Sequence, residues 1–462
     1  MRVPPGPRGF KALGFFGGGS GAGVLEFLAR TARAYGPISS FRILHKRIYL
    51  VDDAGLVREM LVTRQHEFAR DAGATLLREL VGDGLITREE PRHRERRRVL
   101  QPAFHREQIA EYARSMTAEV ERFASELRQD SEIDIRGAMR RLTLSIVGSA
   151  LFGADFHQSA GQVAQVLERV GRRSRWLGTA IALIEPLVLA YRRLFPGAPS
   201  LFFARERAEL ERIIAPVVEQ RRERQGKDIL SLILNERNED NSRLSEEEVR
   251  NEVVTFVLAG HETTATALTW AWYLLSRHTE ARERMQQEVD QVLGDRAPQL
   301  EDVPQLRFTS MIFQEALRLY PPALAFARRP KQKLTLGGYS IPRGTSIFLS
   351  PYITQRNPRY FDHPDEFRPE RWETSSPPKF AYFPFGGGAK MCIGEPFAKL
   401  EGVLVLASLA RNWQFEWLGD KEATPGLGLL ANPDQAVRMR VRSRTDRPHR
   451  SLAVTAQKAL AD

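Results

Sequence analysis

The sequence predicts a mainly α-helical fold with a small β portion, and three observations carry that expectation. From about Ala54 to Leu293 apolar residues recur at the helical spacing. The stretch "SEEEVRNEVVTFVLAGHETTATALTWAWYLLSRH", from Ser245 to His278, opens on a Ser cap and acidic residues and continues mostly apolar. It predicts a helix of about nine turns, long enough to cross the centre of the molecule. Alternating strand-like patterns are confined to short segments bounded by turn residues.

Taken in order, residues 21–35 read as a helix, and "PISSFRILHKRIYLVDD" as two strands turning near His45 and Lys46. The helical region that follows should break near Gly82-Asp83-Gly84, Pro186, Pro196-Gly197 and Asn238–Asn241. Its most hydrophobic part, Trp176–Tyr191, is short for a membrane span and holds Glu185 and Pro186. It predicts a buried or pocket-covering helix pair, with shallow membrane contact through 176–195 as the alternative. "KLTLGGYSIPRGTSIFLSPYI" reads as short strands around Gly-Gly and Pro-Arg-Gly turns, and 357–384 as a tightly packed irregular segment. A further helix starts near Pro396, and "GLGLLANPDQAVRMRVR" reads as a terminal hairpin. The expected organisation is a Pro/Gly-rich lead-in over 1–29, a single domain over 30–442, and a loose tail over 443–462.

Composition narrows the function classes. Of 462 residues, 42% are hydrophobic and 27% charged, the balance of a globular chain with a substantial core. One cysteine excludes an internal disulfide and fits a reducing, cytoplasmic setting. The first residues lack the apolar run of a signal peptide or anchor helix. Lys and Arg exceed Asp and Glu by 68 to 57, a net charge of +11. No basic run interleaves with aromatics as a single-strand-binding groove would, so nucleic acid is not expected and an acidic protein partner is. "GGGSGAG" at 17–23 lacks the preceding strand and acidic residue of a dinucleotide site.

The chemistry concentrates in a few places. "FPFGGGAKMCIG", 383–394, holds that sole cysteine, Cys392, in a glycine-rich loop ahead of a helix. Glycines let backbone N–H groups turn inward and a flat ligand approach. The helix start adds a positive dipole end, and both favour a thiolate. A small buried hydrophobe is the competing reading. On the long helix, "AGHETT" places Ala259 and Thr263 on one face. A hydroxyl beside an acid, Glu262, can relay protons; the plainer reading is that Thr263 only bonds back to a carbonyl. H-E-x-x-H zinc chemistry is excluded because the second ligand position is Ala265. "EALR" sets Glu315 and Arg318 at ion-pair spacing, and "FRPERW" supplies Arg371. "PRHRERRRVLQPAFH" sets His93 and Arg97 one helical turn apart.

The run Phe385, Gly388, Cys392 and Gly394 has the spacing F-x-x-G-x-x-x-C-x-G, and with the other motifs, in order over some 300 residues, the chain resembles the haem-thiolate monooxygenases of the cytochrome P450 family. The resemblance implies the P450 fold, with the long helix over haem b (iron protoporphyrin IX). Cys392 would be its proximal ligand, and Phe385, Gly386 and Gly394 would line the same loop. A thiolate pushes electron density to the iron and favours O–O cleavage. Ala259 would leave room for porphyrin and O2, with Glu262 and Thr263 as the proton relay. Glu315, Arg318 and Arg371 map onto a buried structural triad. His93, Arg97 and Arg328 map onto propionate contacts, with Arg329 adjacent. Lys390 stands where many members have Arg or His and lacks their planar fork.

The implied activity is insertion of one oxygen atom from O2 into a lipophilic small molecule: a fatty acid, terpenoid, steroid or aromatic compound. Electrons from NAD(P)H would arrive only through a separate acidic ferredoxin or flavodoxin with its reductase. Arg94, Arg96, Arg98, Arg106, Lys390 and Lys399 would form its basic landing site. Expected pocket walls are Leu76, Leu77, Leu80, Phe256, Ala259, Ala323, Leu324, Ala325, Phe326, Leu427 and Leu429, about half of which would be ordinary core. A monomer is expected. The alternative is a haem protein that is not an oxygenase, a sensor or electron carrier.

Overall fold

The structure, a computed structural model, describes residues 3–7, 21–43, 46–153, 157–195, 200–222, 228–237, 243–374, 376–426, 428 and 430–444. Helix α1 (Gly21–Tyr35) leads into β1 (Ile38–Ile43) and β2 (Lys46–Val51). The expected turn at His45 falls outside the described residues. Helix α1 begins inside the stretch read as a lead-in, and Ser40 donates from its N–H to the Pro5 carbonyl at 2.7 Å. The boundary expected at residue 29 therefore cuts an element.

Helices α2 (Ala54–Arg58), α3 (Ala72–Val81), α4 (Arg92–Leu100), α5 (Arg106–Glu126) and α6 (Ile135–Val147) follow, with β3 (Phe68–Arg70) and β4 (Glu132–Asp134) between them. Helix α7 (His157–Leu194) runs straight through Pro186, so the predicted break and helix pair are corrected. An interior proline costs one hydrogen bond and about 3 kcal/mol, which a helix this long offsets by packing on α3 and α8 (Ala204–Arg222). Its end is apolar on the outside: Leu187, Leu194 and Phe195 are exposed.

After α9 (Ile229–Asn235), α10 (Glu246–Arg277) crosses the core. Ser245 caps it, exchanging hydrogen bonds with Glu248 in a capping box. Every residue of α10 from Asn251 to Tyr273 is buried except Leu258, Ala259, Gly260 and Thr263. Helix α11 (Thr279–Leu293) and α12 (Arg307–Leu319) pack below it, and α15 (Glu395–Asn412) lies against α5, α10, α11 and α12. Between α12 and α15 come β5 (Phe326–Pro330), β6 (Leu334–Leu336), β7 (Tyr339–Ile341), β8 (Ser346–Leu349), α13 (Pro351–Thr354) and α14 (Arg371–Thr374).

The larger sheet has the order β1-β2-β8-β5-β3, parallel only between β2 and β8. A second sheet joins β4, β10 (Arg438–Ser443) and β9 (Trp413–Trp417) in that order, and β6 pairs with β7. The expected terminal hairpin is thus corrected: β10 pairs with β9 and β4, and the segment before it closes through one bridge, Pro425 to Pro433.

Candidate functional site

Cys392 closes the glycine loop just ahead of α15. It lies deep in the molecule, yet its side chain is exposed, so it faces internal space. Burial pushes its thiol pKa up, opposed by the Gly394 N–H and by Arg97. The loop owes its path to glycine at two positions. Gly388 has φ +70°, and a Cβ there would strike the Leu61 carbonyl. Gly386 has φ +73° with open space where a Cβ would point. The Cys392 N–H donates to the Phe385 carbonyl at 3.0 Å, folding the loop around the sulfur. Arg97 on α4 donates to the Met391 carbonyl at 2.5 Å and holds the loop from the side.

One turn of α10 is left half-buried at Ala259 and Thr263, while Gly260 lies close against Val147 of α6. The Thr263 hydroxyl donates to the Ala259 carbonyl at 2.7 Å, the plainer of the two sequence readings. Its proton is therefore committed, while its oxygen lone pairs remain free to accept. Glu262 is buried on another side of α10 and takes a 2.5 Å ion pair from Arg140 of α6. Arg140 was not legible in the sequence, because nothing near it marks a partner 122 residues on.

A cluster of cations forms beside the loop. Arg70 on β3 lies directly opposite Arg328 on β5 in antiparallel register. Like charges facing each other across strands are destabilising. Both are half-buried, and loss of solvent followed by the mutual repulsion depresses Arg328 to about 10. Among the described residues Arg328 hydrogen-bonds only the Ala327 carbonyl, whereas the adjacent Arg329 pairs with Asp71. Lys390 bonds Glu89, whose other oxygen is 3.9 Å from Arg70. His93 is buried against Glu90 at 3.1 Å, and burial, then Arg70, hold its imidazole pKa down at about 4. Two carboxylates, Glu89 and Glu90, face the three cations Arg70, Arg328 and Lys390 and leave an excess of positive charge. That excess suits a ligand that carries carboxylates, as haem does through its propionates. Sequence reasoning missed Arg70; only the β3–β5 register brings it to Arg328. Arg70→Ala should leave the fold intact but weaken haem retention roughly ten- to hundredfold, as loss of outer-sphere partners does at metal sites. Haem transfer to apomyoglobin measures it, and an unchanged rate would remove Arg70 from the site.

The triad residues come together at the far side of the loop. Arg318 forks onto Glu315 at 2.9 and 2.8 Å, and Arg371 reaches Glu315 Oε1 at 3.0 Å. Trp372 Nε1 donates to Oε2 at 2.9 Å. Arg318 also donates to the carbonyls of Gln355, Pro364 and Glu366, pinning the irregular segment expected at 357–384.

Several expectations need correction. Arg96 is not on a solvated or partner-facing surface. It is buried and paired with Glu236, Glu248 and Glu252, tying α4 to α10. Burial pushes Glu252 up to about 7, although it also accepts the Leu85 N–H at 2.9 Å. Lys390, largely buried, is likewise lost to a landing surface. Among the pocket candidates, Leu80, Phe256 and Leu324 are packed core; Phe256 stacks on Phe104 at 6.1 Å. Leu77 packs against the same core, Ala323 and Phe326 are half-buried and Ala325 is exposed. The Leu76 side chain and residues Leu427 and Leu429 lie outside the described ones.

One class of protein needs a sulfur ligand under a small-residue turn of a buried helix, with cations placed for two carboxylates: the haem-thiolate proteins. A family model described as "Cytochrome P450" matches residues 4–437. The chain belongs to the cytochrome P450 family and is a monooxygenase that uses haem and O2. Among its most similar relatives is cyclooctatin synthase of Streptomyces melanosporofaciens, 35% identical over 88% of this chain and 90% of that protein. Pentalenene oxygenase of Streptomyces avermitilis is 32% identical over 91% and 93%. Cyclooctat-9-en-7-ol 5-monooxygenase of Streptomyces melanosporofaciens is 32% identical over 84% of each. No helix of the described residues is long and apolar enough to cross a membrane.

Proposed function

We propose that this P450 oxygenates an apolar, ring-containing substrate of the terpenoid kind, narrowing the lipophilic classes the sequence allowed. The observation that carries it is the half-buried turn of the otherwise buried α10, where Ala259 and Thr263 offer a methyl group and one hydroxyl but no charge, Glu262 being turned to Arg140. Two relatives bear names that specify an unsaturated hydrocarbon and an unsaturated alcohol as substrates. Haem, when bound, supplies the iron at which dioxygen is reduced and cleaved for insertion into a C–H bond. Cys392 would hold that iron, and Arg70, Arg97, His93, Arg328 and Lys390 would hold the propionates. The Thr263 oxygen would accept a hydrogen bond at that turn and keep a water in place. Glu262 would supply protons only when Arg140 releases its Oε1.

Thr263→Ala should therefore retain reduction but lower product per NADPH several-fold, with the missing electrons recovered as hydrogen peroxide. Unaltered coupling would end the relay assignment. Electrons would come from a separate acidic ferredoxin or flavodoxin meeting the exposed Arg94, Arg98, Arg106 and Lys399. The substrate reading is tested by spin-state titration with cyclic terpene hydrocarbons and their alcohols against fatty acids, steroids and aromatics of equal size. Tightest binding outside the terpenoid set overturns it.

A further inference from the structure

Helix α10 carries a second feature that oxygenation does not use. Trp270 lies seven residues beyond Thr263, about 10 Å along the helix axis. It is fully buried, and Tyr320 stacks on it at 3.8 Å with the rings 7° from parallel. Tyr273 meets Trp270 edge-on at 5.5 Å, and Trp417 of β9 meets Tyr273 at 5.1 Å. Trp417 is half-buried at the molecule's edge, with the Arg277 guanidinium 5.2 Å from its ring centre. The aromatic contacts are thus continuous from Trp270, on the helix that carries Thr263, to the partly exposed Trp417.

We propose that Trp270, Tyr273 and Trp417 form an electron path that empties the site of oxidising equivalents when O2 has been activated and no substrate is oxidised. This rests on the haem-thiolate reading of the site. Each passage moves one electron inward. Trp270 gives up an electron and regains one from Trp417 across the Tyr273 ring. Two such passages, with two protons from water, return the site to rest and release the activated oxygen atom as water. A small thiol then donates a hydrogen atom to each oxidised Trp417, and two thiyl radicals close to a disulfide.

The direction follows from the proton on each indole. The Trp270 N–H is fixed to the Ala431 carbonyl at 2.7 Å, a weak base without access to water. An oxidised Trp270 keeps that proton, remains a radical cation, and readily takes an electron back. Among the described hydrogen bonds the Trp417 N–H meets no protein acceptor, and its half-buried ring can lose the proton to solvent. Arg277 opposes a positive charge on Trp417 and so promotes that loss. Tyr273 lends its ring only: its hydroxyl accepts from the Ala423 N–H at 3.1 Å, and burial favours the protonated phenol.

The test mixes substrate-free, haem-loaded protein containing indole-deuterated tryptophan with peracetic acid, freezes it within milliseconds, and records electron paramagnetic resonance. A parallel digest locates oxidised tryptophan by mass spectrometry. The carbon monoxide spectrum of the same sample separately tests the Cys392 assignment, so the two failures are distinguishable. The expected result is a tryptophan-centred radical and oxidation at Trp417, with Trp413, on the same strand and half-buried, far less marked. Trp270→Phe and Tyr273→Leu should each lower Trp417 oxidation by about tenfold or more. Trp417→Phe, which keeps an aromatic ring at this half-buried position, should remove the radical signal and shorten survival under repeated peracid. Equal oxidation of Trp413 and Trp417, or a radical unaffected by Trp417→Phe, would overturn the path.

Discussion

Replacing Cys392 by serine abolishes oxygenase activity and the far-red-displaced carbon monoxide band of the reduced protein. It is the only cysteine in the chain, so no second thiol can substitute. The serine hydroxyl has nearly the same size, and the loop should fold as before, since its path depends on Gly386, Gly388 and the Cys392 N–H bond to Phe385. What is lost is the electron-rich thiolate. Sulfur ionises far more readily than oxygen, and its donation favours O–O cleavage. Carbon monoxide difference spectra and product assays on the variant measure both effects. A serine variant that still oxygenates at the wild-type rate would sink the assignment of Cys392 as the iron ligand.

Glu315→Ala is expected to prevent accumulation of haem-loaded protein. Glu315 and Arg318 are fully buried, and the carboxylate is shared among Arg318, Arg371, the Arg368 N–H and Trp372. Removing it leaves two arginines without a counter-charge. Breaking a buried pair from one side costs about 3–5 kcal/mol, a large part of the roughly 5–15 kcal/mol that holds a domain together. The damage also spreads: Arg318 and Arg371 fix the carbonyls of Asp362, His363, Pro364 and Glu366, in the segment that leads toward the cysteine loop. Glu315→Gln should be milder, because the amide oxygen still accepts from Trp372 while the charge is lost. Haem absorbance per protein and thermal unfolding compare the two. Normal haem content in Glu315→Ala would show that the triad does not stabilise this part of the fold.

Local patterns were legible wherever neighbours in sequence are neighbours in space. The Ser245 cap, the α10 periodicity and the glycine loop around Cys392 are all set by short-range chemistry. Partners far apart in sequence were not. Arg96 read as one of several surface arginines, since "RHRERRR" looks uniformly solvated until α10 brings Glu248 and Glu252 against it. Arg140 and Arg70 carry no motif of their own. Pro186 misled because propensity is local while α7 also packs against α3, α6 and α8.

By itself, then, the sequence determined the helical class, the family and the cysteine at its centre, because spacing along one chain dictates which residues share a turn or a face. Only the tertiary structure decided which charges are buried and with whom: Arg96 withdrawn from the surface, Glu262 held by Arg140, Arg70 set against Arg328. Burial and pairing depend on which elements close over one another, and the strength of a charge interaction depends on that enclosure far more than on the residue's place in the chain.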